Sequence, residues 1–299
     1  LPELPEVETV RRGLADRLES FEIAEIEVCR ARAIASPGGV DQFVAGLKGA
    51  TVGAWSRRGK YLMAQLEPNR GSWGVHLRMT GQFQWHATPA APCSHTRVRF
   101  WNQNNEELRF VDLRSFGEMW WIPEGDDLDS VMTGLKRLGP EPFSDAFTGA
   151  YLKQRLKGSA RPIKTALLDQ SLIAGVGNIY ADESLFAAGI PPLSPSGKLT
   201  IEQLSDSEMN WSMCCTSASG LEEQPSATFE ILKASMGTMG GSRGCIAGAD
   251  SLAASVERPS AVKSCRAGAP TGARAVSANS PTAVKQWTLS REIESHQIQ

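Results

Sequence analysis

No C-x-x-C pair occurs among the six cysteines, Cys29, Cys93, Cys214, Cys215, Cys245 and Cys265. That spacing argues against a zinc ribbon and offers no framework for a disulfide-stapled secreted domain, so no metal site is expected from the chain as written. No apolar run approaches the roughly 20 residues that a membrane helix requires. The first thirty residues are acidic and lack a secretory apolar segment, which points to a cytoplasmic protein. A surplus of positive charge is missing too: 31 Lys and Arg stand against 33 Asp and Glu, a net charge of −2. That balance counts modestly against a nucleic-acid binder. One local exception is the stretch Tyr151 to Lys164, which holds Lys153, Arg155, Lys157, Arg161 and Lys164 with no acid among them. Charge alone leaves it open between a solvated helix face and a nucleic-acid contact.

What is present suggests an α+β chain with room for two domains in its 299 residues. Val7, Val10, Leu14 and Leu18 recur at helical spacing, so a first helix starts near Pro5. Residues 21 to 122 read as short strands punctuated by Gly, Pro and Asn: Phe21 to Val28, Gly59 to Leu66, Thr96 to Trp101, Leu108 to Val111 and Met119 to Ile122. A β-sandwich or barrel is expected. Pro123 to Pro142 reads as a linker after a short helix. From Phe143 the period becomes helical. Leu172 to Phe186 carries two glycines between apolar turns, read as helix, two tight turns, helix, stopped by Pro191 and Pro192. The expected units are therefore residues 1–137, an N-terminal β-sandwich with its helix, and 138–208, a helical domain. Residues 209–299 form an aberrant tail, because from 212 onward Ser, Ala and Gly dominate without a sustained period.

The opening stretch Pro2-Glu3-Leu4-Pro5-Glu6-Val7-Glu8 admits two readings. Acids in a first helical turn complement the helix dipole. Alternatively, removal of the leading residue frees the Pro2 secondary amine, a nucleophile able to attack a sugar carbon and form an iminium while a neighbouring carboxylate moves protons.

The block resembles the amino terminus of the formamidopyrimidine-DNA glycosylase family, bifunctional base-excision enzymes, and the resemblance covers residues 2 to 208. It implies that Pro2 is the Schiff-base nucleophile, that Glu3 gives and takes protons at the sugar, and that Glu6 holds the amine and local water. Arg57-Arg58-Gly59-Lys60-Tyr61-Leu62 looks like the turn that sets the family's lysine, here Lys60, against the lesion-side phosphate. His76-Leu77-Arg78-Met79-Thr80-Gly81 matches the loop in which a histidine contacts phosphate and a methionine enters the DNA stack. Taken alone, Lys60 reads as a surface lysine and Met79 as core. An enzyme acting on a base must nevertheless flip it out and fill the gap. Asp112-Leu113-Arg114-Ser115-Phe116-Gly117 resembles the rest of that wedge, with Arg114 facing the unpaired base and Phe116 prying open the adjacent step. Many family members carry a second basic residue where Ser115 stands. Gly175, Gly177 and Asn178 fall where the family binds phosphates, consistent with close backbone approach and N–H groups at a helix start. Lys164 is a further expected phosphate contact. The implied partner is double-stranded DNA carrying oxidised bases or abasic sites, bound by a monomer, with no membrane and with marked salt sensitivity.

Two departures stand out. With Leu1 attached, the Pro2 nitrogen is an amide; a literal translation of a UUG or CUG start codon accounts for Leu1, with cleavage before Pro2 freeing the amine. The family also ends in a lesion-covering loop and a four-cysteine zinc hairpin, neither encoded here, so no cofactor is expected in this chain. Back-translated one frame away, Gln224 to Ile231 can spell T-T-F-S-D-F-R-D and Leu232 to Gly241 can continue L-E-G-V-N-G-N-Y-G-G. The glycines at Met236/Gly237 and Met239/Gly240 are forced by the single methionine codon. Shifted codons ending within Ala253, Val256, Ala273 and Val276 can all be cysteine, giving C-x-x-C, sixteen residues, C-x-x-C. The codon ending in Gly268 can be the hairpin arginine. A single-base frameshift between about Gln203 and Cys214 is expected. Three readings follow: an oxidised-purine glycosylase and lyase, a DNA-binding remnant or pseudogene product that turns nothing over, or an endonuclease VIII type acting on oxidised pyrimidines. The set Met79, Arg114 and Phe116 favours the purine enzyme.

Overall fold

Eight antiparallel strands form two four-stranded sheets, ordered β1-β6-β7-β5 and β2-β3-β4-β8. The computed structural model describes residues 2–88 and 90–205. Leu1, most of the region assigned to a frameshift and the tail after 208 lie outside the described residues.

The chain begins with α1 (Leu4–Arg17), followed by β1 (Glu25–Val28), α2 (Gly39–Leu47), β2 (Thr51–Arg58), β3 (Tyr61–Glu67) and β4 (Gly71–His76). Then come β5 (Gly81–His86), β6 (Thr96–Trp101), β7 (Glu107–Asp112) and β8 (Glu118–Ile122). The sheets close face to face over aromatic side chains. Trp73 of β4 meets Phe100 of β6 at 4.7 Å and Phe83 of β5 edge-on at 6.1 Å. Inward-facing Val98 and Phe100 in β6 follow the two-residue period of a strand with one buried face. Val7, Val10 and Leu14 of α1 are buried in the same core, so this helix is part of the sandwich. Of the two architectures expected, the sandwich is the one formed.

The strand reading missed α2. Phe43 and Leu47 lie four residues apart on one helix face and are fully buried. It also missed β2, whose alternation is broken by a bulge between Val52 and Trp55. The segment read as a linker is packed rather than loose: beyond α3 (Leu128–Val131), Met132 and Leu135 bury against Met63, Trp120 and Ile122.

The helical domain comprises α4 (Gly149–Arg155), α5 (Ile163–Leu167) and α6 (Asn178–Ala187) around Phe147, Leu152, Ile163, Leu167, Val176 and Leu185. Thr148 caps α4, its hydroxyl accepting the Tyr151 N–H at 3.0 Å.

Candidate active site and nucleic-acid interface

The two domains are joined by a side chain that crosses between them. Helix α6 starts after Gly177, which has no side chain to cap the free N–H groups of the first turn. Glu3 supplies that cap from the other domain: its Oε1 accepts the Ile179 N–H at 2.9 Å and its Oε2 accepts the Tyr180 N–H at 3.3 Å. The Glu3 residue is 1% exposed. A Cβ added at Gly177 would lie 2.2 Å from Glu3 Cδ. Next to it, Gly175 holds φ +90°, its carbonyl accepts the Leu4 N–H at 3.1 Å, and a Cβ there would strike Leu4. The glycines expected to approach phosphate thus seat the start of α1, and two amides of the α6 terminus are already engaged by a carboxylate. Asn178 lines the open side, and its buried Oδ1 has no hydrogen-bond partner among the described residues.

Glu6 completes the junction. One of its oxygens accepts the Glu3 N–H and the other the Tyr180 hydroxyl, each at 2.9 Å. Pro2 is half-buried and directly precedes Glu3. In front of Glu3 lies a cleft of about 600 Å³ whose lining includes Glu3, Lys60, His76, Arg78, Gln170 and Asn178. Burial raises the Glu3 carboxyl above the usual range, against the pull of the Ile179 N–H and of Lys60. Burial likewise lowers the Lys60 ammonium, opposed by Glu3 and Glu6. Both shifts bring proton affinities towards each other, as acid–base work near neutral pH requires. His76 is pushed down to about 3 by burial, with Arg78 and Lys60 adding to the effect. Its Nδ1 accepts the Arg78 N–H at 3.0 Å, so the neutral ring carries its proton on Nε2, as a donor.

Lys60 is positioned by a clasp that sequence reasoning missed. Glu141, from the segment entering the helical domain, accepts the Gly59 N–H at 2.5 Å and bonds Arg57 at 2.9 Å and Arg58 at 3.2 Å. Arg57 also reaches Glu8 of α1 at 3.2 Å. Glu141→Ala should lower unfolding stability by about 1–3 kcal/mol, because the half-buried arginines lose an acceptor. Urea denaturation checks this, and a midpoint equal to that of the parent would contradict it.

The β4–β5 and β7–β8 loops, which carry Met79 and Arg114 with Phe116, meet at one end of the sandwich. Met79 is half-buried in the β4–β5 turn, while Arg114 and Phe116 are exposed on the β7–β8 loop, the Arg114 guanidinium 5.2 Å from the Phe116 ring. Buried Asp112 ties the two loops together. Its carboxylate accepts the Thr80 hydroxyl, the Arg114 N–H at 3.1 Å and the Gly117 N–H at 2.7 Å. Asp112→Asn replaces one acceptor oxygen by a donor, leaving the Thr80 hydroxyl or a loop amide unpaired. Thermal unfolding should show a loss of about 1–3 kcal/mol, and gel-shift titration should show weaker lesion-duplex binding than the stability loss alone explains. Unchanged values in both would refute the tie.

Lys164, expected at a phosphate, is turned inward. It is 8% exposed and ion-paired with Asp182 at 3.3 Å, inside the helical domain rather than on an open face. Two other members of that basic run are also committed internally, Lys153 to the Leu199 carbonyl and Arg161 to Asp169. Nothing in the sequence marked Asp112, Glu141 or Tyr180 as positioning residues, because each acts on a partner at least 32 positions away or across the domain seam.

A β-sandwich joined through a buried carboxylate to a helix–two-turn–helix unit, with an exposed Arg–Phe wedge, defines a DNA glycosylase of the helix–two-turn–helix class. Sequence models of the formamidopyrimidine-DNA glycosylase N-terminal domain and of its H2TH domain match residues 1–119 and 138–212. The chain belongs to the formamidopyrimidine-DNA glycosylase family, whose work is base-excision repair. It is 65% identical over 241 residues to the formamidopyrimidine-DNA glycosylase of Parasynechococcus marenigrum, covering 81% of this chain and 87% of that one. A Synechococcus relative of the same name is 56% identical, covering 67% and 72%. The Lactococcus lactis enzyme bound non-covalently to DNA with an abasic site superposes with a TM-score of 0.68 at 32% identity, covering 73% and 82%. A mutant of the L. lactis enzyme in complex with DNA containing Fapy-dG gives 0.67 at 33% identity, covering 74% and 79%.

Among the described residues no group of three or more His, Cys, Asp or Glu side chains could hold a metal ion. Among the described residues no helix is long and apolar enough to cross a membrane.

Proposed function

We propose that this chain removes oxidised purines, 8-oxoguanine and formamidopyrimidines, from double-stranded DNA and cleaves the resulting abasic site through a Schiff base on Pro2. The observation that carries the reading is the placement of Glu3: buried at the domain seam, raised in proton affinity, one residue from Pro2 and on the same cleft as Lys60. The Pro2 nitrogen attacks the sugar C1′, the bond from C1′ to the base breaks, and the base leaves with a proton. The adduct becomes an iminium once the sugar ring opens, with Glu3 giving and taking the proton at the sugar. Loss of a C2′ proton then expels the 3′ phosphate, and a second elimination expels the 5′ phosphate. Lys60 and the neutral His76 hold the flanking phosphates; Met79 and Phe116 fill the space of the flipped nucleotide.

The mechanism requires a free Pro2 amine, which intact-mass analysis reads directly. Borohydride trapping on a duplex with an abasic site tests the chemistry. One shifted band that vanishes on Pro2→Gly with its amine acetylated supports it, whereas duplex binding without a trapped band favours the non-catalytic remnant. Cleavage of a lesion panel separates purine from pyrimidine preference; an L. lactis enzyme has been captured with DNA containing an oxidised pyrimidine. The frameshift belongs to the same proposal: the H2TH match ends at residue 212, inside the interval assigned to the frame change. Resequencing that yields an unbroken frame would remove it, and a frame-corrected chain provides the comparison for trapping.

A further inference from the structure

Phe116 has a second cation beside it. The Arg32 guanidinium lies 6.0 Å from the ring, and that of Arg114 5.2 Å. Arg32 sits on the short 3-10 turn Ala31–Ala33, far from the wedge loop in sequence. That turn is fixed to the wedge's own strand: Ile34 bridges Met119 in parallel and the Ala35 N–H donates to the Met119 carbonyl at 2.8 Å. Both arginines are exposed, and among the described residues neither side chain has a carboxylate partner. In a chain whose acids outnumber its bases, many arginines here are neutralised, as Arg11, Arg57, Arg78, Arg99 and Arg109 are. Two unneutralised guanidiniums flanking an exposed aromatic ring suit a surface that meets stacked bases on the ring and phosphates on the cations. Arg114 is assigned to the unpaired base, which leaves Arg32 without a role.

Resting on the DNA-glycosylase reading, we infer that Arg32 contacts a backbone phosphate beside the step that Phe116 enters, and steadies the ring through its planar face. Serine at position 115 offers no charge for that phosphate. The guanidinium reaches it from a separate element, on a turn held by β8.

Equilibrium binding of a duplex with a tetrahydrofuran abasic analogue, measured over a series of salt concentrations, tests the contact. Arg32→Ala should reduce the magnitude of the slope of log K against log salt by about 0.9, one phosphate's share of counterion release. Arg32→Lys should restore the slope, since the charge remains. It should not restore the unstacking signal of a 2-aminopurine next to the lesion, since the planar stack is gone. An unchanged slope in Arg32→Ala, or a slope lowered equally in both variants, overturns the inference. Parent protein that binds no lesion duplex would overturn the DNA reading itself, and this inference with it.

Discussion

Glu3→Gln should sharply slow turnover while leaving the protein folded. Glutamine is the same size and still offers one oxygen to the α6 terminus, so the Ile179 N–H keeps its acceptor while the amide NH₂ faces the Tyr180 N–H. One weak bond is lost, worth about 1 kcal/mol. Against that loss stands a gain that depends on pH. Burial places the folded-state carboxyl above its ordinary value, so the native state holds its proton more tightly than the unfolded chain. Stability contributed by that proton is present below the ordinary carboxylate range and is lost as pH rises through the raised value. Glutamine carries no charge to desolvate, so the stability of the variant relative to the parent should improve as pH rises across that window. Activity behaves differently: without a group that gives and takes a proton at the sugar, excision should fall by about 10²- to 10⁴-fold. Single-turnover excision and urea melts across pH measure the two together. A variant that retains parental excision would remove Glu3 from the chemistry, and one that fails to fold would make it merely a cap.

How much of this was legible in the sequence depends on whether a residue's partner lay nearby. The strand Thr96–Trp101 matched β6 residue for residue, because Val98 and Phe100 alternate with arginines and no turn residue interrupts them. The helix–two-turn–helix was legible for a similar reason, its glycines and prolines being local punctuation. Strand β2 and helix α2 were not: a bulge disrupts one pattern, and the other is a nine-residue helix bounded by glycines within a region of strands. Motif positions singled out Glu3, Lys60, His76 and Phe116, but not what holds them. That Glu3 caps an amide 176 positions downstream, that Asp112 ties two loops, and that Lys164 turns inward to Asp182 are facts of tertiary packing. Periodicity and spacing carry no information about such long-range pairs.

Gly177→Ala should uncouple the two domains' shared chemistry, and its effect should depend almost wholly on Glu3. The backbone at 177 is extended, φ −132° and ψ −169°, a conformation alanine adopts without strain. The three nearest atoms to a Cβ there all belong to Glu3: Cδ at 2.2 Å, Oε1 at 2.4 Å and Cγ at 2.6 Å. Glu3 is fully enclosed, so it cannot swing away without leaving the Ile179 and Tyr180 amides unpaired. Overpacking of this kind costs about 1–3 kcal/mol, and displacing the carboxylate by an ångström costs about 10²-fold in rate. In a Glu3→Ala background the clashing atoms are absent, and the second substitution should cost only the small difference between glycine and alanine at a helix N-cap. The double-mutant cycle should therefore show a coupling above about 1 kcal/mol, whereas independent sites add to within about 0.5 kcal/mol. Gly175→Ala provides the contrast. Its φ of +90° is strained for any L side chain, so its cost should persist whatever stands at position 3. Additivity between positions 177 and 3 would mean that Gly177 is kept for some other approach, such as that of a phosphate, and that Glu3 is held by its hydrogen bonds alone.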